Sequence, residues 1–358
     1  MKKILILTNH SYMLYRFRRE LIEELMKTSE VILGMPFVGH EDDFQAMGLR
    51  CIEIPLDRRS INPLAELKLM NTYRKLLKQE KPDMVLTYSI KPNIYAGLVC
   101  ALKKIPYCVN VQGLGAAFQS KKLAMVATLL YKAALRKAKT VFFENEVNAR
   151  EFVDRKIIPM SRITVLPGAG INLDEYPLTP YPNNDTFRFL YLGRIMKDKG
   201  VEELFEAMRR LHKEVGSKVV LDLVGFFDDH YEDQVKQLTE EGIAVFHGFQ
   251  TDPRSFYAAA DCIVLPSYHE GLSNVLLEAA AIGRPVITSN IPGCREAVNE
   301  GETGILVPVK DTDKLYTALR DMFELDIMKR TAMGAKAHEK MAREFDKKTV
   351  VKMTIKKI

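Results

Sequence analysis

The sequence predicts an α/β protein of two doubly wound domains, each a parallel sheet covered by helices on both faces. Short β-type runs alternate with helical stretches of about 10 to 15 residues along both halves of the 358-residue chain. Between the halves, NLDEYPLTPYPNNDT contains three prolines and no apolar period, as expected of a linker. Ligands bind such sheets at the carboxyl ends of the strands, and two facing sheets would leave a cleft between the domains.

The first domain is predicted over residues 1–172. Its first strand, KKILILT, precedes a stretch with helical spacing, FRRELIEELMK. Six further strands are predicted at SEVILGM, RCIEIPL, DMVLTYS, PYCVNVQ, KTVFFEN and RITVLPG. Helical stretches between several of them include ELKLMNTYRKLLKQE and LAMVATLLYKAALRKA.

A second domain is predicted over residues 187–343, after a linker at 173–186. Its strands are predicted at FRFLYLG, VVLDLVG, AVFHG, CIVLPS and PVITS. Its helices are predicted at VEELFEAMRRLHKEV, YEDQVKQLTEEG, PRSFYAAAD, NVLLEAAAIG and TDKLYTALRDMFE. A final helix, 344–358, is predicted to return to the first domain.

Composition predicts a cytoplasmic protein without a membrane span. Apolar residues make up 47% of the chain, enough for each half to bury a core. The N-terminal apolar run, Ile4 to Leu7, is too short for a signal peptide, and no stretch approaches the ~20 apolar residues of a spanning helix. The five cysteines lack CxxC spacing, which predicts reduced thiols without disulfides or a metal site.

Positive charge is concentrated in the first half. Residues 1–172 carry 27 Lys and Arg against 16 Asp and Glu, whereas the remainder carries 25 against 30. No nucleic-acid-binding module is present, so an anionic membrane surface or a pyrophosphate is the expected partner. In the segment 121–139, basic ends flank the apolar LAMVATLL. It is either a buried helix with solvated ends or an interfacial helix on the inner face of the cytoplasmic membrane.

The segment PSYHEGLSNVLLE, residues 266–278, places two glutamates around the start of a predicted helix. A strand ends before it, and the helix begins near Ser273. Free N–H groups of its first turn, with the helix dipole, would form an anion site suited to a diphosphate. Glu270 on the loop could bond sugar hydroxyls, and Glu278 could grip a ribose. The alternative is N-capping by Ser273 with a solvated glutamate.

A second motif, LGRIMKDKG at 192–200, directly follows the first strand of the second domain. Arg194 and Lys199 both leave the carboxyl end of that strand, so they could converge on the same diphosphate. Departure of a nucleoside diphosphate builds negative charge there, which a paired guanidinium and ammonium would stabilise. A surface turn with two basic residues would look alike.

Together these motifs resemble the retaining glycosyltransferases of family four, which have the GT-B fold of two Rossmann-like domains facing across a cleft. The resemblance is carried by GRIMKDKG, LVG at 223–225, HGF at 247–249, PSYHEGLSNVLLEAAAIGRPVI, GCREAV and GETGILVP. It implies that Arg194, Lys199 and Glu270 act at the reacting centre and that the segment from Phe249 to Arg254 borders the base. The donor-binding residues are then Gly193, Gly225, Phe249, Gly271, Leu272, Ser273, Asn274, Val275 and Glu278.

In the first domain, YSIKPNIYAG at 88–97 and VQGLGAAF at 111–118 resemble bacterial members that build capsule, O-antigen and other polyprenol-linked glycans. The loop from Thr8 to Arg18 lacks the glycine pair of many relatives, and the histidine that many carry near Gln112 is missing. The acceptor or cleft candidates are His10, Tyr12, Arg16, Lys91, Asn93 and Gln112. Core or loop hydrogen bonding is the alternative role for each.

The resemblance implies a reaction without a cofactor or a protein base. A sugar would move from a nucleotide-sugar, expected to be a UDP-sugar, to a lipid-linked saccharide acceptor with retention. The leaving β-phosphate would take the acceptor proton. No metal is expected, because the acidic pair Asp228–Asp229 lies in a surface-like turn and the basic residues with the helix terminus would neutralise the diphosphate.

Three other functions bear on this prediction. A glycosidase pairing Glu270 with Glu278 is disfavoured, because a loop residue and one two helical turns on do not face each other across a bond. A nucleotide-sugar 2-epimerase of the same architecture would convert donor without acceptor. A non-enzymatic membrane-surface binding protein would leave Arg194, Lys199 and Glu270 unexplained.

Overall fold

The computed structural model describes residues 1–57, 62–114, 118 and 121–358. Within these ranges the chain divides into two compact units: Met1–Ala169 joined by Lys347–Ile358, and Gly170–Asp346. Each unit holds one parallel sheet between helices, so the predicted fold class is confirmed. Of the predicted segment 111–118, residues 115–117 lie outside the described residues, as do the side chains of Lys121 and Lys122.

The described residues of the first unit form seven parallel strands. These are β1 (Lys2–Leu7), β2 (Ser29–Met35), β3 (Arg50–Glu53), β4 (Met84–Tyr88), β5 (Tyr107–Val111), β6 (Thr140–Phe143) and β7 (Ile163–Val165). Their order in the sheet is β3-β2-β1-β4-β5-β6-β7. The helices between them are α1 (Ser11–Met26), α2 (Glu41–Ala46), α3 (Pro63–Glu80), α4 (Gly97–Lys103), α5 (Lys121–Ala134) and α6 (Glu146–Asp154). A π-helical turn, Pro92–Ala96, leads into α4.

Alternate strand residues of the first sheet face two separate cores. Leu5, Val85 and Val109 are fully buried in a core shared with α3, α4, α5 and α6. Ile6 and Leu86, one residue later on β1 and β4, are buried in a core shared with α1 and α2. Side chains alternate in this way along any strand, so both faces must be apolar in a sheet covered on both sides.

The second unit repeats the design with six parallel strands. These are β8 (Phe187–Leu192), β9 (Val219–Val224), β10 (Ala244–Gly248), β11 (Cys262–Leu265), β12 (Val286–Ser289) and β13 (Gly304–Val307). Its helices are α7 (Val201–Val215), α8 (Glu232–Glu240), α9 (Arg254–Ala259), α10 (Asn274–Ile282), α11 (Thr312–Glu324) and α12 (Ile327–Glu344). The sheet order is β10-β9-β8-β11-β12-β13. The short strand β13 and the helix α12 are additions to the predicted elements.

The sheet order of the second unit places β8 between β9 and β11. The chain leaves β8 toward β9 on one side, and later leaves β11 toward β12 on the other. Loops that diverge from neighbouring strands leave a crevice at the carboxyl edge, the usual ligand position in open α/β sheets. The two predicted motifs, LGRIMKDKG and PSYHEGLS, are the loops that follow these two strands.

The segment 173–186, predicted as a linker, lies within the second unit and is hydrogen-bonded to the rest of it. Arg284, which follows α10, is fully buried and donates to the carbonyl oxygens of Thr179, Pro180 and Ala258 at 3.2, 2.8 and 2.7 Å. The Tyr181 hydroxyl donates to the Asp261 carbonyl at 2.6 Å. Burial lowers the pKa of Arg284 to about 10. Its guanidinium joins the segment 173–186 to the end of α9 by hydrogen bonds to backbone carbonyls of both.

The last helix, α13 (Lys347–Ile355), packs against α1 of the first unit. Its Lys347 ammonium lies 3.6 Å from the Glu20 carboxylate. The helix predicted over 344–358 therefore begins three residues later than expected. The chain breaks its helical path because Phe345 is buried in the second unit and its carbonyl accepts a hydrogen bond from Ile171 N–H at 2.8 Å. None of the helices described is both long and apolar enough to cross a membrane.

Candidate active site

The loops after β8 and β11 meet through their backbones. Gly200 has φ +70°, and a Cβ there would lie 2.1 Å from the Pro266 carbonyl oxygen, so only glycine fits. The Tyr268 N–H donates to the Asp198 carbonyl at 2.9 Å. The two segments that the sequence marked as separate motifs thus form one surface at the carboxyl edge of the second sheet.

Lys199 and Glu270 face each other across this junction. The Lys199 ammonium donates to Glu270 Oε1 at 2.5 Å, and both side chains are largely buried. Beneath them, the Tyr191 hydroxyl donates to the Arg194 carbonyl at 2.6 Å. Burial, with Glu270 nearby, raises the pKa of Tyr191 well above its usual value, so this hydroxyl remains a donor. Tyr191 was not singled out from sequence, because a tyrosine inside a strand reads as core.

Arg194 is paired with Asp228, which the sequence placed in a surface-like turn. Arg194 Nη1 donates to Asp228 Oδ2 at 2.6 Å, and Arg194 remains half-exposed. The next carboxylate, Asp229, accepts from the Lys197 N–H at 2.9 Å. The turn after β9 therefore binds the loop after β8 through two carboxylates. Both predicted cations of the site are paired, Arg194 with Asp228 and Lys199 with Glu270.

Close backbone contacts fix the floor of this edge. Gly225 has φ +151°, and a Cβ there would lie 1.8 Å from the Gly193 carbonyl oxygen. Gly293, after β12, approaches the loop of Glu270 and Gly271, whose carbonyl oxygens would lie 2.7 and 2.5 Å from an added Cβ. Side chains at these glycines would push the loops apart, so the edge depends on glycine at each point.

The amino terminus of α10 opens onto the same edge. Ser273 is the N-cap residue, yet its side chain makes no capping hydrogen bond among the described residues. Its N–H donates instead to the Gly293 carbonyl at 2.8 Å. Ser273 therefore occupies the N-cap position without the side-chain hydrogen bond that the N-capping alternative requires. The helix dipole with the first-turn N–H groups of Asn274 and Val275 can then face an anion. Leu272 just before the cap is buried.

Glu278 lies about one turn into α10, which begins at Asn274, and is buried. Its Oε2 accepts a hydrogen bond from the Tyr257 hydroxyl at 2.9 Å. Tyr257, on α9, is itself fully buried and was not predicted from sequence as a site residue. A carboxylate held from below by a tyrosine is restricted in rotamer, which suits it to orient a hydroxyl pair at a fixed place.

Two exposed phenylalanines stand beside the crevice. Phe249 follows β10 and Phe226 follows β9, and their ring centroids lie 6.1 Å apart in an edge-to-face arrangement. Behind them, His247 Nε2 lies 2.7 Å from Asp222 Oδ1, and Arg188 also binds that carboxylate. The histidine of HGF thus anchors the loop that carries Phe249. Phe226 was missed, since an aromatic after a strand carries no distinctive pattern.

The first-unit candidates are distributed over several loops. His10 and Tyr12 make an edge-to-face ring contact at 6.2 Å, and Tyr12 and Arg16 are half-buried on α1. Lys91 Nζ donates to Glu66 Oε1 at 2.5 Å. Asn93 is buried, and its amide donates to the Asn110 carbonyl at 2.8 Å. Both of these side chains hold neighbouring elements of the first unit.

A buried ion pair of the first unit was not predicted as such. Arg18 Nη2 donates to Glu144 Oε1 at 2.8 Å, with both side chains almost fully buried. The guanidinium carbon lies 5.3 Å from the centre of the Tyr88 ring, whose pKa is raised mainly by burial. With Gln112, the pair lines a small recess at the carboxyl ends of β5 and β6. Among the described residues, no cluster of three or more His, Cys, Asp or Glu side chains could hold a metal.

Two family profiles match the chain. The profile described as "Glycosyl transferase 4-like" matches residues 3–145, and "Glycosyl transferases group 1" matches residues 186–324. These ranges fall in the first and second unit respectively.

Similar proteins include two bacterial glycosyltransferases. The chain is 28% identical to the N,N'-diacetylbacillosaminyl-diphospho-undecaprenol alpha-1,3-N-acetylgalactosaminyltransferase of Campylobacter jejuni, over 90% of this chain and 91% of the relative. It is 28% identical to the UDP-Gal:alpha-D-GlcNAc-diphosphoundecaprenol alpha-1,3-galactosyltransferase of Escherichia coli, over 79% and 76%. Among solved structures, that of Anabaena HepE in complex with UDP-glucose is similar over 100% of this chain and 100% of its own, with a TM-score of 0.80 and 18% identity.

Proposed function

This chain belongs to the glycosyltransferases with a 4-like and a group 1 domain on the GT-B fold, and we propose that it moves a sugar from a UDP-sugar to a lipid-linked saccharide with retention. The observation that carries the proposal is the meeting of three elements at the carboxyl edge of the second sheet. These are the loop of Arg194 and Lys199, the loop of Glu270, and the amino terminus of α10.

The diphosphate of the donor fits this edge on grounds of charge. The first turn of α10 offers N–H groups and the positive end of the helix dipole, and Gly271 keeps the loop above it free of a side chain. Arg194 is half-exposed, so its guanidinium can bind a phosphate oxygen while Asp228 holds it from behind. As the sugar leaves, charge grows on the β-phosphate, and these groups stabilise it without reorganising.

The sugar and the nucleoside are assigned to neighbouring carboxylates and aromatics. Glu270 accepts from Lys199 through one oxygen, a contact that orients the carboxylate toward sugar hydroxyls. Glu278, fixed by Tyr257, is assigned to the ribose. The exposed rings of Phe249 and Phe226 offer an apolar wall for the base. Anabaena HepE, a structure of the same fold, is described with bound UDP and with UDP-glucose, which favours uridine as the nucleoside.

The acceptor is assigned to the first unit and to the membrane. Names of the Campylobacter jejuni and Escherichia coli relatives specify saccharides linked to diphospho-undecaprenol, which supports a lipid-linked acceptor here. His10, Tyr12, Arg16, Lys91, Asn93 and Gln112 remain the acceptor or cleft candidates. The excess of basic residues in the first half suits the anionic cytoplasmic leaflet, so we place the reaction at the inner face of the cytoplasmic membrane.

The chemistry is a front-face substitution in which the leaving group does the work of a base. The acceptor hydroxyl attacks the anomeric carbon from the side that the diphosphate leaves, and its proton passes to a β-phosphate oxygen. Arg194 and Lys199 hold that phosphate while the bond to the sugar breaks. A front-face route explains how transfer proceeds although the histidine that many relatives carry near Gln112 is missing.

A direct test supplies purified protein with a panel of UDP-sugars and a synthetic diphosphopolyprenyl saccharide. We expect UDP release and a product heavier by one sugar only when both substrates are present, and a product with the anomeric configuration of the donor by NMR. Sugar release to water would indicate a hydrolase. Conversion of the donor without acceptor would indicate the 2-epimerase, and an inverted product would exclude the front-face route.

A further inference from the structure

Three helices of the first unit lie side by side on one face of its sheet. Tyr73 of α3, Val99 of α4 and Tyr131 of α5 are buried in the same core, and α4 contacts both of its neighbours. The opposite sides of these helices carry the residues that they expose. We call this surface, made by the exposed residues of α3, α4 and α5, the three-helix face.

Large apolar side chains project from the three-helix face. They are between 45% and 77% exposed and comprise Leu64, Leu67, Leu102, Leu123, Met125, Val126 and Leu129. On α5, Met125 and Leu129 are one helical turn apart and so share one side. On the other side of the sheet, α1 and α13 expose only Met13 and Met353 among their described large apolar residues. Exposed apolar groups in this number mark a contact surface.

The charge of the three-helix face has one sign. The acidic residues within α3, α4 and α5 are Glu66 and Glu80, and both are buried in pairs with Lys91 and Arg50. The exposed charged side chains that the structure describes on these helices are all basic: Lys68, Arg74, Lys75, Lys78, Lys103 and Lys132. Across the sheet, by contrast, both signs of charge are exposed. Glu23, Glu24, Asp42 and Asp43 are exposed on α1 and α2, and Lys348 and Lys352 on α13.

We propose that the three-helix face docks the protein on an anionic lipid bilayer. Leucine and methionine side chains would enter the boundary between headgroups and acyl chains, while lysine and arginine bind lipid phosphates around them. A second copy of the same face would bring like charges together, which opposes self-association. The inference deepens the proposed function, and rests on it in one respect: the lipid-linked acceptor lies in the same bilayer.

The test uses the full chain and vesicles made of equal parts phosphatidylglycerol and phosphatidylcholine. The variant L129S/K132Q removes one apolar and one basic side chain from α5. The matched control, M353S/K352Q, makes the same changes on α13, across the sheet. A basic residue near an anionic surface contributes about fivefold to binding, so we expect L129S/K132Q to partition at least ~10-fold less in co-sedimentation. The control should bind as wild type does. None of the three proteins should bind vesicles of phosphatidylcholine alone.

Equal binding of L129S/K132Q and wild type would overturn the proposal, as would equal losses in both variants. A lower mass of L129S/K132Q in solution would instead identify the face as an interface between copies. Transfer to a short water-soluble acceptor separates the two proposals, and L129S/K132Q should retain wild-type turnover there. A wild-type protein that binds vesicles through this face but transfers no sugar would refute the proposed function and leave the docking surface standing.

Discussion

The carboxyl edges of the two sheets are built by different means. In the second unit, backbones touch in addition to the side-chain pairs: Gly200 abuts Pro266, and Gly225 abuts Gly193. In the first unit, side chains join the elements, as in the buried pair of Arg18 and Glu144. The Ser89 hydroxyl likewise donates to Asn9 at 2.7 Å and connects the loops after β4 and β1.

The difference matters for what each edge can bind. Contact through glycine leaves N–H groups and a helix terminus uncovered, which suits a ligand with a fixed diphosphate geometry. Contact through side chains fills the edge with residues that can be exchanged without moving the backbone. The second edge is therefore suited to a constant ligand group, and the first edge to a variable one.

The comparison is tested most severely at the buried ion pair. Arg18→Ala should lower the free energy of unfolding by ~3–5 kcal/mol, because the buried Glu144 carboxylate loses its counter-charge. The double variant Arg18→Met with Glu144→Leu should recover most of that loss. Urea denaturation measures both. A double variant as unstable as the single one would mean that the pair does more than fill the edge.

The second largest effect is expected at the diphosphate edge. Arg194→Ala or Lys199→Ala should lower turnover at least ~100-fold, the scale for loss of one preorganised donor to developing charge. Lys197→Ala is the matched control, since Lys197 lies in the same loop, is largely exposed and pairs with Glu202 at 3.3 Å. Steady-state kinetics with saturating acceptor decide the matter. Near-normal turnover in both test variants would move the donor site elsewhere.

A backbone contact can be isolated by comparing two glycines with the same φ of +70°. Gly242→Ala should cost ~1 kcal/mol, since nothing lies within 4 Å of an added Cβ there. Gly200→Ala should cost ~2–4 kcal/mol, because its Cβ meets the Pro266 carbonyl in addition. Its turnover should also fall, as the loops separate. Equal costs in denaturant would show that the close approach relaxes freely.

The smallest expected effect is that of a chelator. Turnover in excess EDTA should equal that in buffer, because the guanidinium, the ammonium and the α10 terminus neutralise the diphosphate in the proposed mechanism. Activity that disappears with chelator and returns with magnesium or manganese would contradict this assignment. Full activity of dialysed, metal-free protein would support the assignment of diphosphate neutralisation to protein groups of the second edge.

The fold and the loops at the carboxyl edge of the second sheet could be predicted from the sequence because both depend on local patterns. Alternating strand and helix signals predict parallel sheets, and the carboxyl ends of parallel strands meet at one edge. That rule was enough to bring LGRIMKDKG and the Glu270 loop together. The strand β13 was missed, since four residues that begin with a glycine and end before a proline give too short a pattern.

Partners across the sheet were beyond local patterns. Asp228 pairs with Arg194 because β8 and β9 are neighbours, and strand order is not visible in either segment alone. Arg18 and Glu144 are far apart in sequence and meet only because α1 returns over the sheet. Tyr257 beneath Glu278 depends in the same way on how α9 packs on α10.

Arg284 has a consequence for dissecting the chain into working halves. The match to the group 1 family profile starts at residue 186. The Arg284 guanidinium, however, donates hydrogen bonds to the carbonyl oxygens of Thr179 and Pro180, which lie before that start. A fragment of residues 186–346 would keep a buried cation and discard three of its acceptors, the two oxygens of Thr179 and the Pro180 carbonyl, so it should express as insoluble protein. A fragment of residues 170–346, the whole second unit without α13, keeps them and should be recovered soluble and melt cooperatively in calorimetry. The range matched by the family profile, 186–324, is thus shorter than the unit of residues 170–346 that we expect to fold alone.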